Sequence, residues 1–230
     1  MAKKATPSPH LKRTTIREPK LIPTMQEFEK IVHAELQIPA QNWSTTMDTA
    51  RDYFVLSCTT YLSYSQIINL SADNIVTDNN GEELLVVPAL RNYPNGNIPL
   101  APLAKYFILK LFAKNKEKDR VRYMSINAIN MNLHELFRQL GINTPTIIIK
   151  NHAQQATQYQ SPKYEVLTMK TARDFFLNTA ANSGIINLHS LMVWSKPKNL
   201  GINITPYLQV TNQSPMIGLS QLFDNIPIPK

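Results

Sequence analysis

The chain has very little cysteine: Cys58 stands alone among 230 residues. One thiol excludes an internal disulfide framework, which fits a reducing compartment. Glycine is also scarce, at 6 residues, and nowhere forms a Gly-rich phosphate loop. Long apolar runs are missing. The strongest, Leu84 to Val87 and Thr146 to Ile149, are far too short to cross a bilayer. Met1 is followed by Lys3 and Lys4 but by no apolar stretch, so no secretory signal is read and a cytoplasmic location is expected. The histidines His10, His33, His134, His152 and His189 show no ligand spacing, so no metal site and no cofactor are expected.

What is present is enough apolar residue for a core, 43%, and a net charge of +8. Such a charge points to a polyanionic partner. Its placement tempers the inference. Residues 1–20 hold Lys3, Lys4, Lys12, Arg13, Arg17 and Lys20 against Glu18 alone, so five of the eight net charges lie there and three on the rest. This arm, residues 1–22, reads either as a solubilising tail or as a flexible phosphate-binding arm.

The remaining pattern predicts a mainly α domain with a small three-stranded antiparallel β insert. Thr24-Met25-Gln26-Glu27 reads as a capping box, followed by apolar residues on one helical face. A second helix runs to Cys58, whose apolar setting marks a buried, inert thiol. A short third helix covers Tyr64 to Leu70. Strands are read at Ile75–Thr77, Glu83–Val87 and Asn97-Ile98, with turn signals at Asn80-Gly81 and Asn95-Gly96. Pro88 belongs at a strand end or bulge. Helices follow at Pro102–Ala113 and at Ser125–Leu140, the latter ended by Gly141. Thr146–Ile149 is either a short strand or the start of a loop. Residues 151–162, rich in Gln and Asn, read as an exposed loop. Further helices are expected at Thr171–Ser183, Asn187–Trp194 and Pro206–Thr211. A C-terminal tail, residues 214–230, is expected to pack on the body or on a neighbour.

Several segments together resemble the catalytic domain of the tyrosine recombinases, the phage-integrase family, in the form carried by mobile elements. Ala50 to Leu70 is similar to the family's first signature. Asn130 to Leu136 with Gly141-Ile142 resembles its middle helix. Pro162 to Glu165 with Thr171 to Phe176 resembles the stretch holding its second arginine, and Tyr207 to Thr211 the segment holding its nucleophile. The ordered match runs from about residue 24 to 213, and residues 23–213 are taken as one domain. The resemblance implies the DNA breaking-rejoining fold, double-stranded DNA as partner, a homo-oligomer or a full-length recombinase as a second partner, and no membrane association.

In that chemistry a tyrosine hydroxyl attacks a DNA phosphodiester and forms a phosphotyrosine link. Two arginines clamp the oxygens on which charge builds. A hairpin lysine protonates the departing sugar oxygen, and histidines assist the proton transfers. Carried over residue by residue, the set is depleted. The first arginine falls at Ser63, with Tyr61 in place of a glycine two residues earlier. The hairpin lysine falls near Arg91, whose guanidinium holds its proton too firmly for acid catalysis. Lys170 replaces the histidine before Arg173, which matches the second arginine. A later histidine falls around Lys196-Pro197-Lys198, with Trp194 nearby, and Tyr207 matches the nucleophile behind Pro206. Ser63 reads most simply as a helix cap. Arg173, Arg91, Lys170, Lys196 and Lys198 remain as DNA contacts. Losing one transition-state donor costs about 100- to 1,000-fold, so strand transfer is expected to be absent or strongly impaired. The alternatives are a recombinase with divergent catalytic residues, and an interaction module that has kept the fold and left DNA.

Overall fold

The computed structural model describes residues 21–35, 43–87, 96–115, 119–152, 155–184 and 221–229. Arg91, Trp194, Lys196, Lys198, Tyr207, Pro88, Asn95, residues 1–20 of the basic arm and the two helices expected beyond residue 186 lie outside these residues.

The first helix, α1 (Met25–Val32), starts as its sequence predicts. Thr24 Oγ1 accepts from the Glu27 amide at 3.1 Å, and the Glu27 carboxylate accepts from the Thr24 amide at 2.7 Å. This reciprocal pair satisfies amides that the first turn leaves open. Helix α2 (Trp43–Thr60) is the hub: every residue from 49 to 60 is buried, and it packs against α4 (Pro102–Ala113), α5 (Ile126–Gln139) and α7 (Met169–Asn182). A helix covered all round must satisfy its polar side chains internally. Ser57 accordingly donates to the Leu62 carbonyl at 2.7 Å and Thr59 to the Val55 carbonyl at 3.0 Å. Cys58 is fully buried, and burial pushes its thiol well above the ordinary range, in keeping with an inert thiol.

After the short α3 (Tyr64–Ile67) and one 3-10 turn at Ala72–Asn74, the strands β1 (Ile75–Thr77), β2 (Glu83–Val87) and β3 (Gly96–Pro99) form the antiparallel sheet in the order β1-β2-β3. Leu85 lies opposite Ile98, and both point into the core. The first turn is shaped by Gly81, at φ 82°, and by Asp78, whose Oδ1 accepts from the amides of Asn80 and Glu82 at 2.8 Å each. Helix α5 ends as Gly141 predicts. At φ 71° it lets its own amide reach the Arg138 carbonyl and the Ile142 amide reach the Phe137 carbonyl, the paired bonds of a Schellman cap.

Residues 151–162 are not a loop. Strands β4 (Pro145–His152) and β5 (Gln155–Pro162) pair antiparallel through eight rungs, from Pro145–Pro162 to His152–Gln155. Polar side chains hid the hairpin. It projects from the body, with Gln158, Tyr159 and Gln160 all exposed, so no apolar alternation is needed to hold it. Its base is closed by Lys163, which opens α6 (Lys163–Val166) and donates its amide to the Thr144 carbonyl at 3.0 Å.

The described part of the tail packs on the chain's own body. Leu222, Phe223 and Ile226 are buried, and the Phe223 ring lies 5.7 Å from Phe28 of α1 and 6.5 Å from Phe175 of α7. Among the described residues the molecule is thus mainly helical, with the small three-stranded sheet expected and one further hairpin. No described helix is long and apolar enough to cross a membrane.

Candidate functional site

The site is built at the C-terminus of α2. There the chain leaves the helix through Tyr61 at φ 63°, the one described non-glycine residue in the left-handed region. The turn that the resemblance assigns to glycine is therefore made by a tyrosine. Two residues later Ser63 caps α3. Its Oγ accepts from the Gln66 amide at 3.3 Å, and Gln66 Oε1 accepts from the Ser63 amide at 3.0 Å and from its hydroxyl at 2.9 Å. The cap reading of Ser63 is borne out, and its side chain is largely buried.

Arg173 comes to this turn from α7. Its Nε donates to the Tyr61 carbonyl at 3.1 Å, and its guanidinium carbon lies 4.0 Å from the centroid of the Tyr61 ring. The ring is only 8% exposed and rests 5.7 Å from that of Phe176, one turn of α7 further on. The cation over a π face and the bond to the carbonyl both act on Tyr61, so they hold the left-handed turn in place. The α7 N-terminus is itself fixed: the Met169 amide donates to Asn130 of α5 at 3.0 Å, and Thr171 packs back on Thr168. Lys170 is exposed, three residues before Arg173 on the same helical face. Of the expected site residues, the structure thus brings Arg173 against the Tyr61–Ser63 turn and leaves Lys170 beside it in solvent. Arg91, Lys196, Lys198 and Tyr207 lie outside the described residues.

A charge cluster that the sequence reading missed ties α2 to α4. Asp52, fully buried, and Asp48 face Arg51, Lys110 and Lys114. Lys110 reaches Asp48 at 3.0 Å and Lys114 reaches Asp48 at 2.6 Å; Arg51 bonds Asp48, and Lys114 bonds Asp52. Arg51 also donates to the Ala34 carbonyl at 2.8 Å, behind α1. Burial raises the Asp52 carboxyl above its ordinary range, and the charge of Asp48 adds to this against the pull of the cations. Burial also works on Asp48, but Lys114, Arg51 and Lys110 outweigh it and hold that carboxyl low. The Asp48, Arg51, Asp52 spacing and the Lys110, Lys114 spacing each mark one helical face, which was the available signal. The cluster's cations are occupied by carboxylates, so it is a structural brace. Among the described residues no group of His, Cys, Asp and Glu is placed to hold a metal ion.

Against known proteins, the chain matches no family model, no curated protein and no solved structure.

Proposed function

We propose that the chain is a DNA-binding protein of tyrosine-recombinase type, with that family's breaking-rejoining fold and with strand transfer absent or strongly impaired, serving the integration or recombination of a mobile element. The observation that carries this reading is the meeting of Arg173 with the Tyr61–Ser63 turn. These positions are far apart in sequence, and they are the two at which the resemblance places the paired arginines of the phosphate clamp. Arg173 keeps one half of that clamp. At the other half a buried serine hydroxyl is committed to capping α3, which puts no cation at that position to help neutralise a pentacoordinate phosphate. The reaction class therefore loses a main electrostatic support while phosphate binding keeps its fork-shaped donor. Lys170 beside it is suited to a backbone phosphate, and double-stranded DNA is the partner the reading requires.

Anisotropy with labelled duplex DNA across a salt series tests this. Residues 21–230 bind without the basic arm, affinity falls steeply with salt, and Arg173→Ala weakens binding about tenfold or more. A melting curve of each variant separates lost contact from lost fold. Binding that disappears with residues 1–20 overturns the reading in favour of an interaction module. A covalent DNA adduct that is absent in Tyr207→Phe overturns the inactive state in favour of a recombinase with divergent catalytic residues.

A further inference from the structure

Beside the candidate site runs an extended strap, residues 119–125, whose backbone is pinned at almost every position. The Ala72 amide donates to the Asp119 carbonyl at 2.7 Å, Arg120 bridges Ser71, and the Val121 amide donates to the Leu70 carbonyl at 3.3 Å. Two phenols complete the fastening: Tyr53 Oη donates to the Arg122 carbonyl at 2.7 Å, and Tyr64 Oη to the Met124 carbonyl at 3.0 Å. Val121 and Met124 are buried beneath. This fixed backbone holds Tyr123 outward, 71% exposed, directly before Met124, whose carbonyl takes the Tyr64 phenol. Arg120 is exposed and Arg122 half-buried, and among the described residues neither has a carboxylate within ion-pair distance. The strap carries one acid, Asp119, at its start.

A lone surface tyrosine has no meaning by itself. Here the ring is displayed on backbone immobilised by two other tyrosines, between two arginines that meet no carboxylate among the described residues, and one of those tyrosines, Tyr64, directly follows Ser63. That combination suits an unpaired nucleobase: its face stacks on an exposed ring whose backbone is already fixed, and its flanking phosphates meet guanidinium groups. A base inside a duplex has no face to offer. We infer that Tyr123, with Arg120 and Arg122, forms a stacking site for an unpaired base of single-stranded nucleic acid, adjoining the duplex-binding surface.

This inference rests on the proposed DNA-binding function, and the test keeps the two apart. Full-length protein is titrated against labelled oligothymidylate, against a duplex, and against a single strand bearing a fluorescent base that is quenched on stacking. Tyr123→Ala is expected to weaken oligothymidylate binding at least about fivefold and to abolish the quenching, while Tyr123→Phe retains both and duplex affinity stays unchanged. Single-strand affinity that is equal in Tyr123→Ala and wild type overturns the inference alone, provided Arg173-dependent duplex binding persists. Absence of single-strand binding likewise overturns it and leaves the patch to a protein partner. Loss of duplex binding as well overturns both readings.

Discussion

A tyrosine in the left-handed region costs about 1–2 kcal/mol relative to glycine, so Tyr61 must be held by what it touches. Its ring is buried between Arg173 and Phe176. Tyr61→Ala keeps the backbone cost and loses both contacts, and is expected to lower stability by about 3–5 kcal/mol in urea unfolding. Tyr61→Gly loses the same contacts but relieves the backbone, so it should be the more stable of the two by about 1 kcal/mol, the reverse of the order for alanine and glycine inside a helix. At the charge cluster, Asp52→Asn removes only the charge that burial opposes and keeps the shape of the protonated carboxyl, so urea unfolding is expected to show a much smaller loss than for Asp52→Ala, which also empties the buried site. Asp48 titrates with the opposite sign to its neighbour. Its folded carboxyl lies below the ordinary 3.8, so it contributes stability that is present above that value and lost as pH falls through the lower folded one. Unfolding followed by circular dichroism should show a shallower acid limb in Asp48→Asn. The raised Asp52 carboxyl acts the other way, favouring the fold most strongly where it is protonated. Ser63 was legible because a cap and its Gln66 partner sit three residues apart. The cluster was not, because its two halves come from helices separated by the whole three-stranded sheet.

Among the elements, local chemistry predicted best where it is self-contained. The capping box of α1, the three strands of the insert and the glycine end of α5 each depend on a few adjacent residues, and each formed as read. Gly141→Ala tests the last. No atom lies within 4 Å of the added Cβ, so its cost is conformational alone, about 1 kcal/mol at φ 71°. The β4–β5 hairpin escaped because strand prediction relies on one face being buried. A projecting hairpin is held by its ladder and by its closed base at Thr144 and Lys163, and Gln and Asn serve there as well as apolar residues. Ile147, 58% exposed, therefore adds little to folding: Ile147→Thr is expected to shift stability by less than about 0.5 kcal/mol, as a thermal melt would show.

On the scale of the whole molecule, the layout places the Tyr61 turn, the α7 arginine and the pinned strap around the ends of α2 and α3. The sheet and the charge brace serve to fix those elements rather than to join the site. The resemblance read in the sequence singled out Arg173 and Ser63, and in the structure Arg173 of α7 meets the α2–α3 turn at Tyr61, two residues before Ser63. Tyr123 carried no sequence signal, since its exposure depends on the phenols of Tyr53 and Tyr64, which are distant in the chain. The tail was left open in sequence because Leu222, Phe223 and Ile226 fit any apolar groove. Phe223→Ala empties a fully enclosed ring site and is expected to cost about 3–5 kcal/mol, read from the denaturant midpoint with an unchanged slope.

The contact between Phe28 and Phe223 has a further consequence for how the protein is made. A ribosome delivers Phe28 long before Phe223. Until Phe223 emerges, α1 has no ring to close over it and the Phe175 side of α7 stays uncovered. Early docking of α1 is thus provisional, and its contact with Phe223 must close a loop that runs from residue 28 to residue 223. Nascent chains halted before Leu222 should accordingly be cleaved by protease near α1, and chains extended past Ile226 should resist that cleavage.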